Sequence, residues 1–311
     1  MPLKPIRPRK QEERKIRLGD IQFLNSWPVT YALRTGIIEA PRLEVVSGTP
    51  ADLNRRLLIG ELDASAVSAM MYLRHQEEFV PVPGLCIRSD SDVHSVLVVS
   101  RQPLTTLKGR TIGVSNQGAT TPVLLKVLAA HKNLKINLEV TNLRYPEILE
   151  EYPAALLIGD EALEASQSGD GLQWWDLGEA WNEWTKQPMV YALWMVRREL
   201  VRKNPETMEH LRAALETSYT WGKLHQDDLI AGMRKIFPFE ANFLRRYLQA
   251  ISYDLDRTAW RGFLRFAKEA ETLGELSKGT GRRLRQDRIL PVQQACLSLP
   301  VRQAGGGQVA A

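Results

Sequence analysis

The sequence predicts an α/β protein of two lobes joined by a hinge, with a helical C-terminal part. Three observations carry this reading. From Ile16 to Val196, short apolar strand patterns alternate with helix patterns, which is the signature of parallel βαβ units. Beyond Pro205 the pattern becomes helical throughout. Between these lies a self-contained α/β stretch that reads as an insertion, so the chain crosses between lobes twice. The boundaries expected are 15–100 for the first part of lobe 1, 101–192 for lobe 2, and 193–276 for a mostly helical return to lobe 1. Residues 1–14 and 277–311 read as basic, partly disordered tails. A chain of 311 residues is long enough for two cores.

The first element is a short strand, Ile16 to Leu18, followed by an expected turn at Gly19-Asp20 and an apolar stretch from Ile21 to Leu24. This runs into Asn25-Ser26-Trp27-Pro28. Asn and Ser favour helix caps and Pro favours the first helical turn. A strand end therefore delivers a helix N-terminus with free N–H groups, a seat for a carboxylate. The device recurs at Ser47-Gly48-Thr49-Pro50, with Thr49 as cap, and at Ser115-Asn116-Gln117-Gly118-Ala119-Thr120-Thr121-Pro122. The first and third seats fall in opposite lobes, so a ligand with two carboxylates spanning the cleft would use both. Further strands are expected at Leu43–Ser47, Ala64–Ser68, Val93–Ser100, Thr111–Ser115, Leu138–Asn142, Ala154–Ile158 and Val190–Val196. Helices are expected between them, and then at Met208–His225, Asp227–Ile236, Glu240–Ala250 and Asp256–Thr272.

Polar residues at strand ends extend the list of candidate ligand contacts. Ser26, Thr49, Ser68, Ser95, Asn116 and Asp160 stand at such positions, outside the carboxyl ends of strands where open α/β sheets bind ligands. Trp194 lies at the expected return crossing and is a candidate wall for a flat ring.

Charge and composition exclude several classes. The net charge is +5, with 44% apolar and 25% charged residues. Residues 1–17 and 277–311 each carry +5, which leaves −5 on residues 18–276. The body is thus mildly acidic and offers no basic face for nucleic acid. The basic tails read as solvated ends. No run of apolar residues is long enough to span a membrane, and no apolar segment follows the basic N-terminus as in a secretory leader. Cys86 and Cys296 are far apart and read as free thiols in a cytoplasmic setting. The five histidines show no metal-ligand spacing, and no P-loop, GxSxG or GxGxxG motif is present.

The run IRLGDIQFLNSWPVTYAL is followed by GTPADLNRRLLIGELDASAVSAMMYL, VHSVLVVSRQPLTTLKGRTIGVSNQGATTPVLLKVL, ALLIGDEAL and WDLGEAWNEWTKQPMVYALW. Together these resemble the chorismate dehydratase family, which opens the futalosine route to menaquinone. The resemblance covers about residues 15–197. It implies the two-lobed fold of type 2 periplasmic binding proteins, no metal or organic cofactor, and a single small-molecule partner, chorismate. The implied reaction removes water to give 3-[(1-carboxyvinyl)oxy]benzoate. It also implies Asn25 and Ser95 as catalytic contacts, with Thr120 and Thr121 as contacts at the helix terminus of lobe 2. The family usually shows Ser-x-Thr-Ser where this chain has Gly118-Ala119-Thr120-Thr121, so any contact at 118 is through backbone. The sister dihydroxynaphthoate synthase would carry a Cys-Pro-Asn-Asp-type segment after its first strand and a histidine in the middle lobe. A non-catalytic carboxylate-binding protein on the same fold and a ligand-sensing domain of a regulator are further alternatives.

Overall fold

The computed structural model describes residues 14–115, 118–168 and 171–286. Its strands, in chain order, are β1 (Ile16–Ile21), β2 (Leu43–Gly48), β3 (Ala64–Ser68), β4 (Phe79–Ser89), β5 (Val96–Ser100), β6 (Thr111–Ser115), β7 (Asn137–Thr141), β8 (Ala154–Ile158), β9 (Gln173–Asp176), β10 (Met189–Arg197) and β11 (Ser252–Asp254). The helices of the first two thirds are α1 (Trp27–Arg34), α2 (Pro50–Leu58), α3 (Ala69–Arg74), α4 (Thr120–His131), α5 (Ile148–Glu151), α6 (Asp160–Ala165) and α7 (Leu177–Thr185). The helical end supplies α8 (Arg198–Lys203), α9 (Glu206–Leu224), α10 (Gln226–Met233), α11 (Ala241–Ala250), α12 (Arg257–Thr272) and α13 (Thr280–Gln286).

Among the described residues the strands form two mixed sheets. One has the order β11-β4-β10-β3-β1-β2 and the other β7-β6-β8-β5-β9. In the first, β1 lies parallel to β2 and β3, while β10 runs antiparallel to β3 and β4. In the second, β6 is parallel to β7 and β8, and β5 is antiparallel to β8 and β9. Side chains alternate across a strand, so each face of the second sheet builds its own core. Val96, Val98 and Leu156 join the main core, whereas Leu97, Val99 and Leu157 form a separate cluster with Ile148 and Ala162. The main core is continuous through both lobes. Leu124, Leu128 and Trp181 of the second lobe share it with Trp194, Phe263 and Phe266 of the first.

Several expectations need correction. Gly19-Asp20 is not a turn, because β1 runs through it without a break. The glycine is needed for packing: a Cβ there would stand 2.7 Å from Ser65 Oγ. The first crossing falls before Val96, not near Ser100, since β5 pairs wholly within the second sheet. The return is complete by Met189, where β10 begins to pair with Ser89 of β4. Strand β4 escaped notice because Pro81, Pro83 and Gly84 interrupt it. Proline is tolerated there because β11 pairs only with the far half, at Leu85 and Arg88. β11 itself is a strand inside the supposedly all-helical end. Residues 277–286 are not a tail: α13 packs on α12, with Thr280 and Leu284 buried. Residues 1–13 and 287–311, including Cys296, lie outside the described residues, while Cys86 is free and buried.

The two crossings run side by side, and Asp176 ties them together. Its carboxylate accepts from the N–H groups of Val93 (3.0 Å) and His94 (2.7 Å) on the outgoing crossing. It also accepts from Gly178 (2.8 Å) and Glu179 (3.1 Å) at the start of α7 on the return. His94 is held at φ +59°, the left-handed region that side chains with a Cβ rarely adopt. Tyr191 adds a hydroxyl contact to Ser89 at 3.1 Å. Gly178 has no room for a side chain, since a Cβ would lie 2.7 Å from both the Ser91 carbonyl and the Tyr191 hydroxyl. Gly178→Ala is therefore expected to cost about 1–3 kcal/mol of stability, read by chemical denaturation. An unchanged midpoint would show that the crossings are not packed together.

Candidate active site between the lobes

The carboxyl ends of the parallel strands in both sheets point into the same cleft. From the first sheet come the exits of β1 and β3, and from the second those of β6 and β8. The start of the antiparallel β5 lies beside the exit of β8, where Gly159 N–H donates to the Ser95 carbonyl at 2.7 Å. Asn25, Ser95, Thr120, Thr121 and Asp160 therefore all stand at strand exits or helix starts along the line where the lobes meet, although they span much of the chain.

The lobes touch through specific hydrogen bonds. Asp160, the first residue of α6, accepts from Leu24 N–H at 3.3 Å across the cleft. Thr120 Oγ1 accepts from Met70 N–H at 3.0 Å and donates to the Tyr191 carbonyl at 3.4 Å. Thr120 is thus a bridge between lobes, with its hydroxyl already committed. Thr121 differs. It is buried, and its hydroxyl has no partner among the described residues. Helix α4 also starts from Ala119, which supplies no side-chain cap to the N–H groups of its first turn. Among the described residues, a helix start without a side-chain cap beside an unpaired buried hydroxyl is a candidate seat for an anion. Gly118 lines its approach at φ +88°, a backbone conformation that favours glycine.

The other helix starts resolve differently. Thr49 is exposed and caps α2 by accepting from Asp52 N–H at 3.3 Å. Ser68 caps α3 in the same way through Met71 N–H at 3.3 Å, so it supports the cleft wall beside Met70. Ser26 does not cap α1. Leu24–Ser26 forms a 3-10 turn, and the buried Ser26 hydroxyl turns back onto the carbonyls of Ile21 and Phe23. It locks the turn and is not free for a ligand. Trp194 is fully buried, well inside β10 and opposite Ala66 of β3, and its indole N–H has no partner among the described residues. Asn116 lies outside the described residues.

Asn25 presents a half-buried carboxamide with no protein partner among the described residues. Its backbone carbonyl accepts from the Tyr253 hydroxyl at 2.8 Å. Ser95 is buried and its hydroxyl accepts from the Tyr247 hydroxyl at 3.1 Å. Sequence reasoning missed both tyrosines. They come from β11 and α11, and a helical period or a three-residue strand says nothing of contacts 152 and 228 residues away. Burial pushes both phenols up, so they remain hydrogen-bond donors at any physiological pH. Among the described residues no group of three or more His, Cys, Asp or Glu stands where it would hold a metal ion. A cavity of about 200 Å³ lined by Arg14, Arg42, Asp63 and His210 contains none of the expected site residues.

The sequence profile of a family described as menaquinone biosynthesis matches residues 16–272. The chain belongs to that family. Among curated family relatives, the chorismate dehydratase of Thermus thermophilus is 27% identical over 274 residues, covering 81% of this chain and 93% of that one. The 1,4-dihydroxy-6-naphtoate synthase of the same organism is 27% identical over 273 residues, covering 83% and 95%. Among solved structures, a protein of Archaeoglobus fulgidus aligns with a TM-score of 0.71 and 21% identity, over 86% of this chain and 100% of that one. The periplasmic aliphatic sulphonate binding protein SsuA of Escherichia coli aligns with a TM-score of 0.65 and 14% identity, over 96% and 99%. The fold is therefore that of periplasmic binding proteins, as the family resemblance implied.

Burial raises the pKa of Asp160 to about 6, against the smaller lowering effect of the Leu24 N–H. Because the folded value is the higher one, its contribution to stability is complete below about pH 4 and is lost as pH rises through about 6. Asp160→Asn keeps an acceptor for Leu24. The variant is expected to be more stable than the native protein at pH 8, by up to about 3 kcal/mol, with the gap closing towards pH 4. Thermal melts of both proteins across this range check it, and a pH-independent gap would contradict the assignment.

Proposed function

We propose that this protein dehydrates chorismate to 3-[(1-carboxyvinyl)oxy]benzoate. The observation that supports the reading is a pair of groups without partners among the described residues, one from each lobe: the Asn25 carboxamide from lobe 1, and the buried Thr121 hydroxyl at the start of α4 from lobe 2. Chorismate has two carboxylates, one on the ring and one on the enolpyruvyl ether, and such a pair of groups suits a dianion spanning the cleft.

The chemistry asks little of the protein beyond positioning. The C3–H bond breaks, its electron pair forms the new ring double bond, and the neighbouring hydroxyl leaves. The proton and the hydroxyl together make the water released, and the ring becomes aromatic. The C3 proton is conjugated through a ring double bond to the ring carboxylate. Donors from α4 on that carboxylate stabilise the charge that develops there, as an oxyanion hole does. Asn25 orients the enolpyruvyl carboxylate, which takes the proton. Holding these groups in place supplies several kcal/mol by itself. Asp160, with its pKa near neutrality, tolerates a dianion beside it by taking up a proton.

The naphthoate synthase relative is matched at the same identity, so identity does not separate the two. The segment after β1 favours the dehydratase, because it reads Leu24-Asn25-Ser26-Trp27-Pro28 and holds no cysteine. His131 of the middle lobe sits at the far end of α4, about 16 Å along the helix from Thr120, stacked on Trp184 at 4.0 Å. It is not a site residue. The reading brings with it a place at the head of the futalosine route and a cytoplasmic setting.

Two measurements test this. Purified protein incubated with chorismate, with no added metal or cofactor, should release the aromatic ether, followed by chromatography and mass. Asn25→Ala should lower kcat by about 100-fold or more. Full turnover by that variant would remove Asn25 from the mechanism.

A further inference from the structure

We infer that Tyr247 is a positioning residue that sets the Ser95 hydroxyl as a hydrogen-bond donor into the cleft. The inference rests on the chorismate reading and adds to it a residue of the helical end that neither the sequence motifs nor the strand-end rule indicates.

A serine hydroxyl has one proton to give and two lone pairs. At Ser95 one lone pair is filled by the Tyr247 hydroxyl, which donates at 3.1 Å. No acceptor for the Ser95 proton exists among the described residues, because its only side-chain hydrogen bond is the one from Tyr247. Both residues are 2% exposed, so bulk water does not settle the question. The Ser95 proton is therefore left for a ligand. With one lone pair held, the rotor is restricted, and a hydroxyl that accepts a hydrogen bond also donates a stronger one.

Backbone contacts fix the pair from both sides. The Ser95 carbonyl accepts from Gly159 N–H at 2.7 Å, next to Asp160. Tyr247 lies on α11, which belongs to the first lobe, while Ser95 immediately precedes β5 of the second. The Tyr247–Ser95 bond therefore forms only when the lobes are in this relation, as does the bond from Leu24 to Asp160. Tyr253 serves as a contrast. It donates to the backbone carbonyl of Asn25 and so fixes the turn, without setting the direction of any side-chain donor.

The test is a double-mutant cycle in the full chain, using Tyr247→Phe, Ser95→Ala and the double variant, with chorismate as substrate. Tyr247→Phe is expected to lower kcat about ten-fold with KM changed less than about two-fold. Adding Ser95→Ala is expected to produce no loss beyond that of Ser95→Ala alone. Ser95→Ala keeps the cycle informative should Tyr247→Phe fold poorly, because it deletes the same hydrogen bond from the other side. A native-like kcat for Tyr247→Phe in an active enzyme, or multiplicative losses in the double variant, would overturn the inference alone. An inactive native protein would overturn the chorismate reading and this inference with it.

Discussion

The four-fold acceptance of backbone N–H groups by Asp176 is the interaction on which the rest depends. One carboxylate ends β9, starts α7, and holds both chain crossings between the lobes. Without it, the left-handed backbone at His94 and the uncovered first turn of α7 would have no compensation. The side-by-side crossings bring the carboxyl edges of two sheets opposite one another. Strand polarity then does the rest, since the loops that follow β1, β3, β6 and β8 are delivered to the line where the lobes meet.

Within that cleft the physical contrast lies between helix starts that are satisfied and one that is not. The N-termini of α2 and α3 are capped by Thr49 and Ser68, and Ser26 is consumed by its own turn. Only α4, among the helix starts singled out in the sequence, combines an absent cap with a buried hydroxyl lacking a partner. On the opposing lobe Leu24 N–H is engaged by Asp160, so a protein carboxylate already occupies part of the first seat. The two seats inferred from sequence are thus unequal. One is open and one is shared with an acid whose pKa is displaced towards neutrality. The fold is shared with periplasmic binding proteins; what differs from one helix start to the next in this chain is a few side chains at strand exits.

Much of this was legible in the sequence, for reasons of locality. β3, β6 and β8 run over the same residues as the sequence pattern, because each is a short apolar run flanked by turn residues. The long helices of the C-terminal part were legible because their period is sustained. Failures came where a residue's meaning depends on distant partners. Gly19 looked like a turn, but its cause is Ser65 across the sheet. Strand β4 was not among the expected strands; its Pro81 and Pro83 fall where β11 does not pair with it. Val96–Ser100 gave no sign of which sheet it joins, so the crossing was placed too late. Trp194 was placed at the crossing when it lies inside β10, and Tyr247 and Tyr253 were invisible, because hydrogen bonds between remote helices and strand ends leave no pattern along the chain.

The most direct test of the account is a crystal structure of the native protein with bound 3-[(1-carboxyvinyl)oxy]benzoate, which carries both carboxylates. The account predicts one carboxylate on the first turn of α4 within hydrogen-bond distance of Thr121 Oγ1, and the other on the Asn25 carboxamide, with Ser95 Oγ touching the ligand. A ligand bound outside the cleft, or inside it with the first turn of α4 unoccupied, would contradict it.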